Sequence, residues 1–135
     1  VVNNGEAASG SGALYYGNSS TWNYDSGVAN SGTAKSPSFL VPASPEAKLT
    51  LKMWVHLESS STYDKIFVKL MPIGVQIWSK SGATQQGWVD VSVPLQSYAG
   101  QNLYISWEFN TVDSVLNAYK GIFVDDVKVS ACNNN

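Results

Sequence analysis

The residues best equipped for chemistry in this sequence are aromatic. Trp78 closes the run "VQIW" and Trp88 opens the run "WVDV". Val75 and Ile77 alternate with Gln76 and Trp78, and Val89 and Val91 alternate with Trp88 and Asp90. Period-two alternation marks a half-buried strand. If the aliphatic face is the core, both tryptophans point outward. Pairing the runs as a hairpin around the loop 79–87 sets Ile77 opposite Val89, Gln76 opposite Asp90 and Trp78 opposite Trp88. Like then meets like throughout, which supports that register. An outward tryptophan pair suits a sugar. The axial C–H face of a pyranose stacks on the indole, and neighbouring amides and carboxylates bond the hydroxyls. The predicted binding set is Trp78, Trp88, Gln76, Gln85, Gln86 and Asp90. Trp54 or Tyr104 extends the platform if its strand lies close. Trp22, with Tyr24 beside it in a polar loop, is a further candidate. The competing reading has both tryptophans packed beneath the loop 79–87.

The second candidate chemistry is metal binding. In "IFVDDVKV", alternation puts Asp125 on one face with Phe123, Val127 and Val129, a core-facing edge. A carboxylate buried alone is costly, so it needs a partner or a metal. A set of hard oxygen donors selects calcium. The loop "NYDSGVANSG" offers Asp25, Asn30 and carbonyls freed by its turns. Asp126 replaces Asp125 if the two faces are reversed, and Glu6 is a weaker ligand candidate. The competing reading has Asp125 bonded to backbone amides and Asp25 in an Asx-turn.

Catalysis finds little support. His56 is the only histidine, no G-x-S-x-G stretch accompanies it, and it reads as a surface residue on a strand. A pair of glycosidase carboxylates needs one cleft, but the adjacent Asp125 and Asp126 point to opposite faces of a strand. All eight basic residues are lysines. Without arginine, nucleic acid is an unfavoured partner. No apolar run approaches the ~18 residues of a membrane span. A lone Cys132 near the C-terminus makes no internal disulfide.

These residues must be carried by strands. "LTLKMWVHLE", "KIFVKL", "NLYISWEF" and "GIFVDDVKV" all alternate, and shorter runs surround Tyr15 and Phe39. Clusters of Ser, Thr, Asn and Gly separate them. No segment keeps a helical period. In "NLYISWEF", Trp107 is in phase with Leu103, Ile105 and Phe109, so it reads as core. The expected fold is all-β, a β-sandwich (jelly roll) of two antiparallel sheets. At 135 residues one domain is expected over 1–135, with 133–135 as a tail, acting as a monomer.

The stretches "AASGSGALYYGNSSTWNYDSGVANSGTAKSP", "GWVDVSVPLQSYAGQNLYISWEF" and "GIFVDDVKV" resemble secreted bacterial β-jelly-roll accessory modules. These are the cleaved-adhesin and MAM-like domains, similar in shape to calcium-containing carbohydrate-binding modules. The resemblance runs from Ala7 to Val129 and implies a non-catalytic, extracellular module attached to a catalytic domain. It also implies a structural Ca2+ on an acidic residue of the last strand. Only six residues precede Ala7, so the opening strand of such modules is missing or shortened. The expectation is a carbohydrate-binding module that holds a polysaccharide of the β-glucan type, such as cellulose, for an attached glycoside hydrolase. The alternative is a calcium-stabilised adhesion or structural domain of a secreted protease or surface protein.

Overall fold

The computed structural model describes residues 1–2, 7–80 and 85–131, with only the backbone described at Gln85 and Gln86. The described elements, in chain order, are β1 (Leu14–Tyr16), β2 (Ser31–Lys35), β3 (Phe39–Leu40), β4 (Lys48–His56), β5 (Lys65–Met71), β6 (Val75–Ser79), β7 (Gln85–Pro94), a 3-10 turn (Gln96–Tyr98), β8 (Asn102–Asn110) and β9 (Gly121–Ser130). They form two antiparallel sheets packed face to face. One runs β1-β9-β4-β7, and the other runs β2-β8-β5-β6 with β3 also paired to β8. This is the expected β-sandwich.

Alternation builds the core. Leu49, Leu51, Met53 and Val55 of β4 face Ile66, Val68 and Leu70 of β5 and Leu103, Ile105, Trp107 and Phe109 of β8 across the interior. Each strand therefore places its polar alternates on an outer face.

Two features of the pairing differ from the sequence expectation. The first is that β6 and β7 do not form a hairpin. β6 folds back on β5, where Trp78 stands opposite Val68, and β7 pairs with β4, where Trp88 stands opposite Trp54. The connection is long enough to cross between sheets, and β4 offers β7 a much longer partner than β6 does. Leu49, Leu51 and Met53 meet Val93, Val91 and Val89 there. The like-with-like matching of Trp78 with Trp88, and of Gln76 with Asp90, is therefore corrected.

The second is a bulge in β9. Thr50 pairs with Lys128 but Lys52 pairs with Asp125, and Asp126 takes a positive φ of 50°. An extra residue on one strand reverses the faces beyond it. Ile122 and Val124 face the core before the bulge and Val129 packs on it afterwards. Phe123 and Asp125 thus lie on the outer face, correcting the core-facing placement of Asp125, and Val127 is exposed.

Candidate functional site

The outer face of the first sheet carries a row of aromatic residues. The register sets Tyr15 opposite Phe123, Phe123 opposite Trp54, and Trp54 opposite Trp88, so the row crosses all four strands. Phe123 is 1% exposed although it points away from the core. Its cover is local. Tyr15 stacks on it at 4.5 Å between centroids, and Trp22 lies over both, 5.3 Å from Tyr15 and 6.2 Å from Phe123. Trp22 reaches this position from a tight turn in which its N–H bonds Asn18 O at 2.7 Å and its φ is 54°.

Lys120 closes the group from the other side. Its Nζ lies 5.4 Å from the Trp54 ring and 5.5 Å from each of Trp22 and Phe123, within reach of the negative ring faces. Gly121 lets the β1 backbone lie close against β9. A Cβ there would stand 2.3 Å from Tyr16 O, and its φ is +106°. The Tyr15 hydroxyl donates to Lys120 O at 2.5 Å.

His56 borders the row, edge-on to Trp54 at 5.9 Å and to Tyr119 at 5.2 Å. Lys120 N–H donates to its Nδ1 at 3.4 Å. Burial first, and then the Lys120 charge, push the His56 pKa down. The imidazole is thus held neutral with Nδ1 as acceptor. Its surroundings are aromatic and cationic, which does not make a nucleophile–base pair.

The predicted residues divide between the two sheets. Trp54, Trp88, Trp22 and Asp90 share the first sheet's outer side. Asp90 is exposed there and ion-paired to Lys52 at 2.8 Å. Trp78 sits on the second sheet and packs against the hydrophobic core. Gln76 pairs with Lys69 and is exposed on the same edge strand. Tyr104 lies on the second sheet's outer side, with Lys35 Nζ 5.8 Å from its ring. No single platform therefore joins Trp78 or Tyr104 to Trp54 and Trp88. The Gln85 and Gln86 side chains, Glu6 and Cys132 lie outside the described residues. Nor is the first-sheet row flat. Trp54 meets Phe123 at 79° between planes, and Trp22, Trp54 and Trp88 are all half-buried.

The predicted metal ligands are occupied by protein donors. Asp125 Oδ2 accepts from Ala8 N at 2.9 Å and Ser9 N at 3.1 Å, and Oδ1 accepts from Asp126 N at 2.8 Å. Asp126 Oδ1 accepts from the Ser9 hydroxyl. Asp25 Oδ1 accepts from Gly27 N at 2.8 Å, an Asx-turn. Asn30 Oδ1 accepts from the Tyr16 hydroxyl at 2.6 Å, and its Nδ2 donates to Tyr24 O at 3.0 Å. Among the described residues, no three His, Cys, Asp or Glu side chains converge into a metal-holding group.

A cavity of about 270 Å³ on the first sheet's outer face has Asp90 and Asp126 in its wall, with Lys52 ion-paired to Asp90. Two further cavities open near β1. One of about 260 Å³ lies between the edges of β1 and β2, lined by residues such as Leu14, Tyr16, Ala34 and Trp107, with no carboxylate, imidazole or thiol in its wall. The other, about 430 Å³, holds a single carboxylate, that of Asp25. Neither has the paired acid and base that hydrolysis needs.

Sequence reasoning missed Tyr15, Phe123, Lys120 and Asp64. For Asp64 a signal was present: it is in phase with Ile66, Val68 and Leu70 at the head of β5, and it is fully buried. For Lys120 none was, because its position depends on a loop.

Comparison with known proteins finds similar segments in proteases. The chain is 30% identical to Bacillopeptidase F of Bacillus subtilis (strain 168) over 135 residues, a match covering 96% of this chain and 9% of the relative. It is 28% identical over 105 residues to the pre-pro-metalloprotease PrtV of Vibrio cholerae serotype O1 (strain M66-2), covering 70% of this chain and 11% of that relative. The chain spans only a small part of the length of each relative. No protein-family model matches it.

Proposed function

We propose that this chain is a non-catalytic β-sandwich accessory module of a secreted protease, attached to its catalytic domain and serving a structural or adhesive role. The observation that carries this reading is the size of the match: the similarity covers 9% of one protease and 11% of the other. A short shared segment inside larger enzymes is the pattern of an accessory domain. The site geometry agrees with it. The aromatic row is packed by Trp22 and Lys120 into a stabilising cluster, and His56 has no catalytic partner beside it.

A polysaccharide ligand is the second reading. It rests on Trp54 and Trp88, which stand side by side and half-exposed on one face.

The test is a comparison of the parent protease with and without this module. Turnover of a small peptide substrate should be unchanged, while secreted yield, resistance to autolysis or capture of large protein substrates falls. Loss of small-substrate turnover, with the remaining catalytic domain still folded, would show that the module supplies catalytic residues. Retardation of the isolated chain in polysaccharide gels, abolished in a Trp54→Ala/Trp88→Ala variant that stays folded, would favour the second reading.

A further inference from the structure

We infer that the loop end of the sandwich holds a small hard cation, with the side-chain oxygens Asp64 Oδ1 and Asn117 Oδ1 as its protein ligands. The site is separate from Asp125 and from the aromatic row. Asp64 is 0% exposed and Asn117 2% exposed, and Asp64 Oδ1 and Asn117 Oδ1 are both buried without a hydrogen-bond donor. Buried oxygens in that condition are rare and call for a donor or a cation.

Neighbouring bonds hold the two residues in one cluster. Asp64 N–H donates to Thr111 O at 3.2 Å, the Thr111 hydroxyl donates to Asp113 O at 2.8 Å, and Asn117 Nδ2 donates to Asp113 O at 3.0 Å. That last bond also settles which way the amide faces. Turning it over would set Oδ1 against a carbonyl oxygen. On Asp64, the donors all serve Oδ2: the Tyr24 hydroxyl at 2.5 Å and Glu58 N–H at 3.3 Å. A proton on Asp64 Oδ1 given to Asn117 Oδ1 is the competing way to satisfy both oxygens, and a melting curve indifferent to Ca2+ is its signature.

The charge balance favours a cation. Glu58 and Asp64 lie near enough to Asp113 for the three negative charges to act on one another. Lys80 is the nearby positive group acting on both. Its Nζ donates to Glu58 O at 2.6 Å and Tyr63 O at 2.9 Å, which leaves Asp64 Oδ1 bare. The carboxylates of Glu58, Asp64 and Asp113 do not converge. The protein share is therefore one carboxylate and one amide oxygen, with waters or main-chain oxygens completing the shell. That chemistry fits Ca2+, and so modest a protein share fits a Kd of about 10⁻⁴–10⁻³ M, typical of extracellular modules.

The experiment uses Ca2+ and its luminescent substitute Tb3+ on the intact chain. At 10 mM, Ca2+ should raise the melting temperature above that in chelator. The shift should vanish in Asn117→Ala and persist in Asp125→Ala. Crystals soaked in Tb3+ should show an anomalous peak about 2.3–2.6 Å from both Asp64 Oδ1 and Asn117 Oδ1. The crystal experiment stands even if Asn117→Ala fails to fold. No melting shift in the wild type, a shift retained in Asn117→Ala, or a peak at Asp125 or nowhere would overturn the assignment. Because the readouts are metal binding and melting, these results are independent of the accessory-module reading.

Discussion

The rings of Trp54 and Phe123 meet edge to face, with 5.6 Å between centroids and 79° between planes. This contact ties the middle of the sheet's outer surface together, since Trp54 belongs to β4 and Phe123 to β9. Trp22 and Lys120 complete the enclosure. A second, smaller apolar cluster thus lies outside the sandwich core. It explains how an outward-pointing phenylalanine is removed from water.

Removing Trp22 or Trp54 should therefore destabilise the fold. Each ring covers Phe123, and Trp→Ala should cost about 2 kcal/mol or more, below the ~3–5 kcal/mol of a fully buried aromatic. A double-mutant cycle of Trp54→Ala with Phe123→Leu should yield a coupling of about 0.5–1.5 kcal/mol, the scale of an aromatic pair. Denaturant unfolding measures both quantities. Costs within ~0.5 kcal/mol, as at open surface sites, would contradict the packed-cluster description.

Trp78 faces a different test. It packs on the core from the edge strand of the second sheet. Trp78→Ala should cost about 2–3 kcal/mol and leave any ligand binding at Trp54 and Trp88 intact in the folded fraction. A stable Trp78→Ala variant that loses polysaccharide retention shown by the wild type would contradict this placement.

Asp125 anchors the Ala8–Ser9 segment through its carboxylate. Asp125→Ala should cost about 1.5–3 kcal/mol, the range for a hydrogen-bonded charged group, and should speed hydrogen exchange at the Ala8 and Ser9 amides. The cost should be the same in chelator and in calcium. A cost seen only when calcium is present would mean that Asp125 acts through a metal.

His56 predicts a pH dependence. Its pKa is lowered in the folded state by burial and then by Lys120. The unfolded chain therefore binds the proton first. The His56 contribution is fully present above the ordinary value of 6.5 and is lost as pH falls through it toward the lower folded value. The partly exposed carboxyl of Glu58, whose pKa is raised, acts with the opposite sign on acidification. Melting from pH 8 to pH 5 should fall more steeply in the wild type than in His56→Gln. Parallel curves would show that His56 does not titrate against its surroundings.

Much of the architecture is written in the local pattern of residues. Alternation in β4, β5 and β8 is determined by neighbours two apart, so the sandwich, its core face and the buried place of Trp107 are legible from sequence. The outward direction of Trp54 and Trp88 is legible for the same reason. Strand partnership is not, because it depends on which distant strand offers the longest apolar match. β7 met β4 rather than β6, which separated Trp78 from Trp88. Nor does alternation reveal a bulge. One extra residue at Asp126 carried Phe123 and Asp125 to the opposite face from the one their spacing implied. The loops decided the remainder. Trp22, Lys120 and Asn117 acquire their neighbours only when the strands bring those loops to common places, because pairing energies act through space and leave no period in the chain.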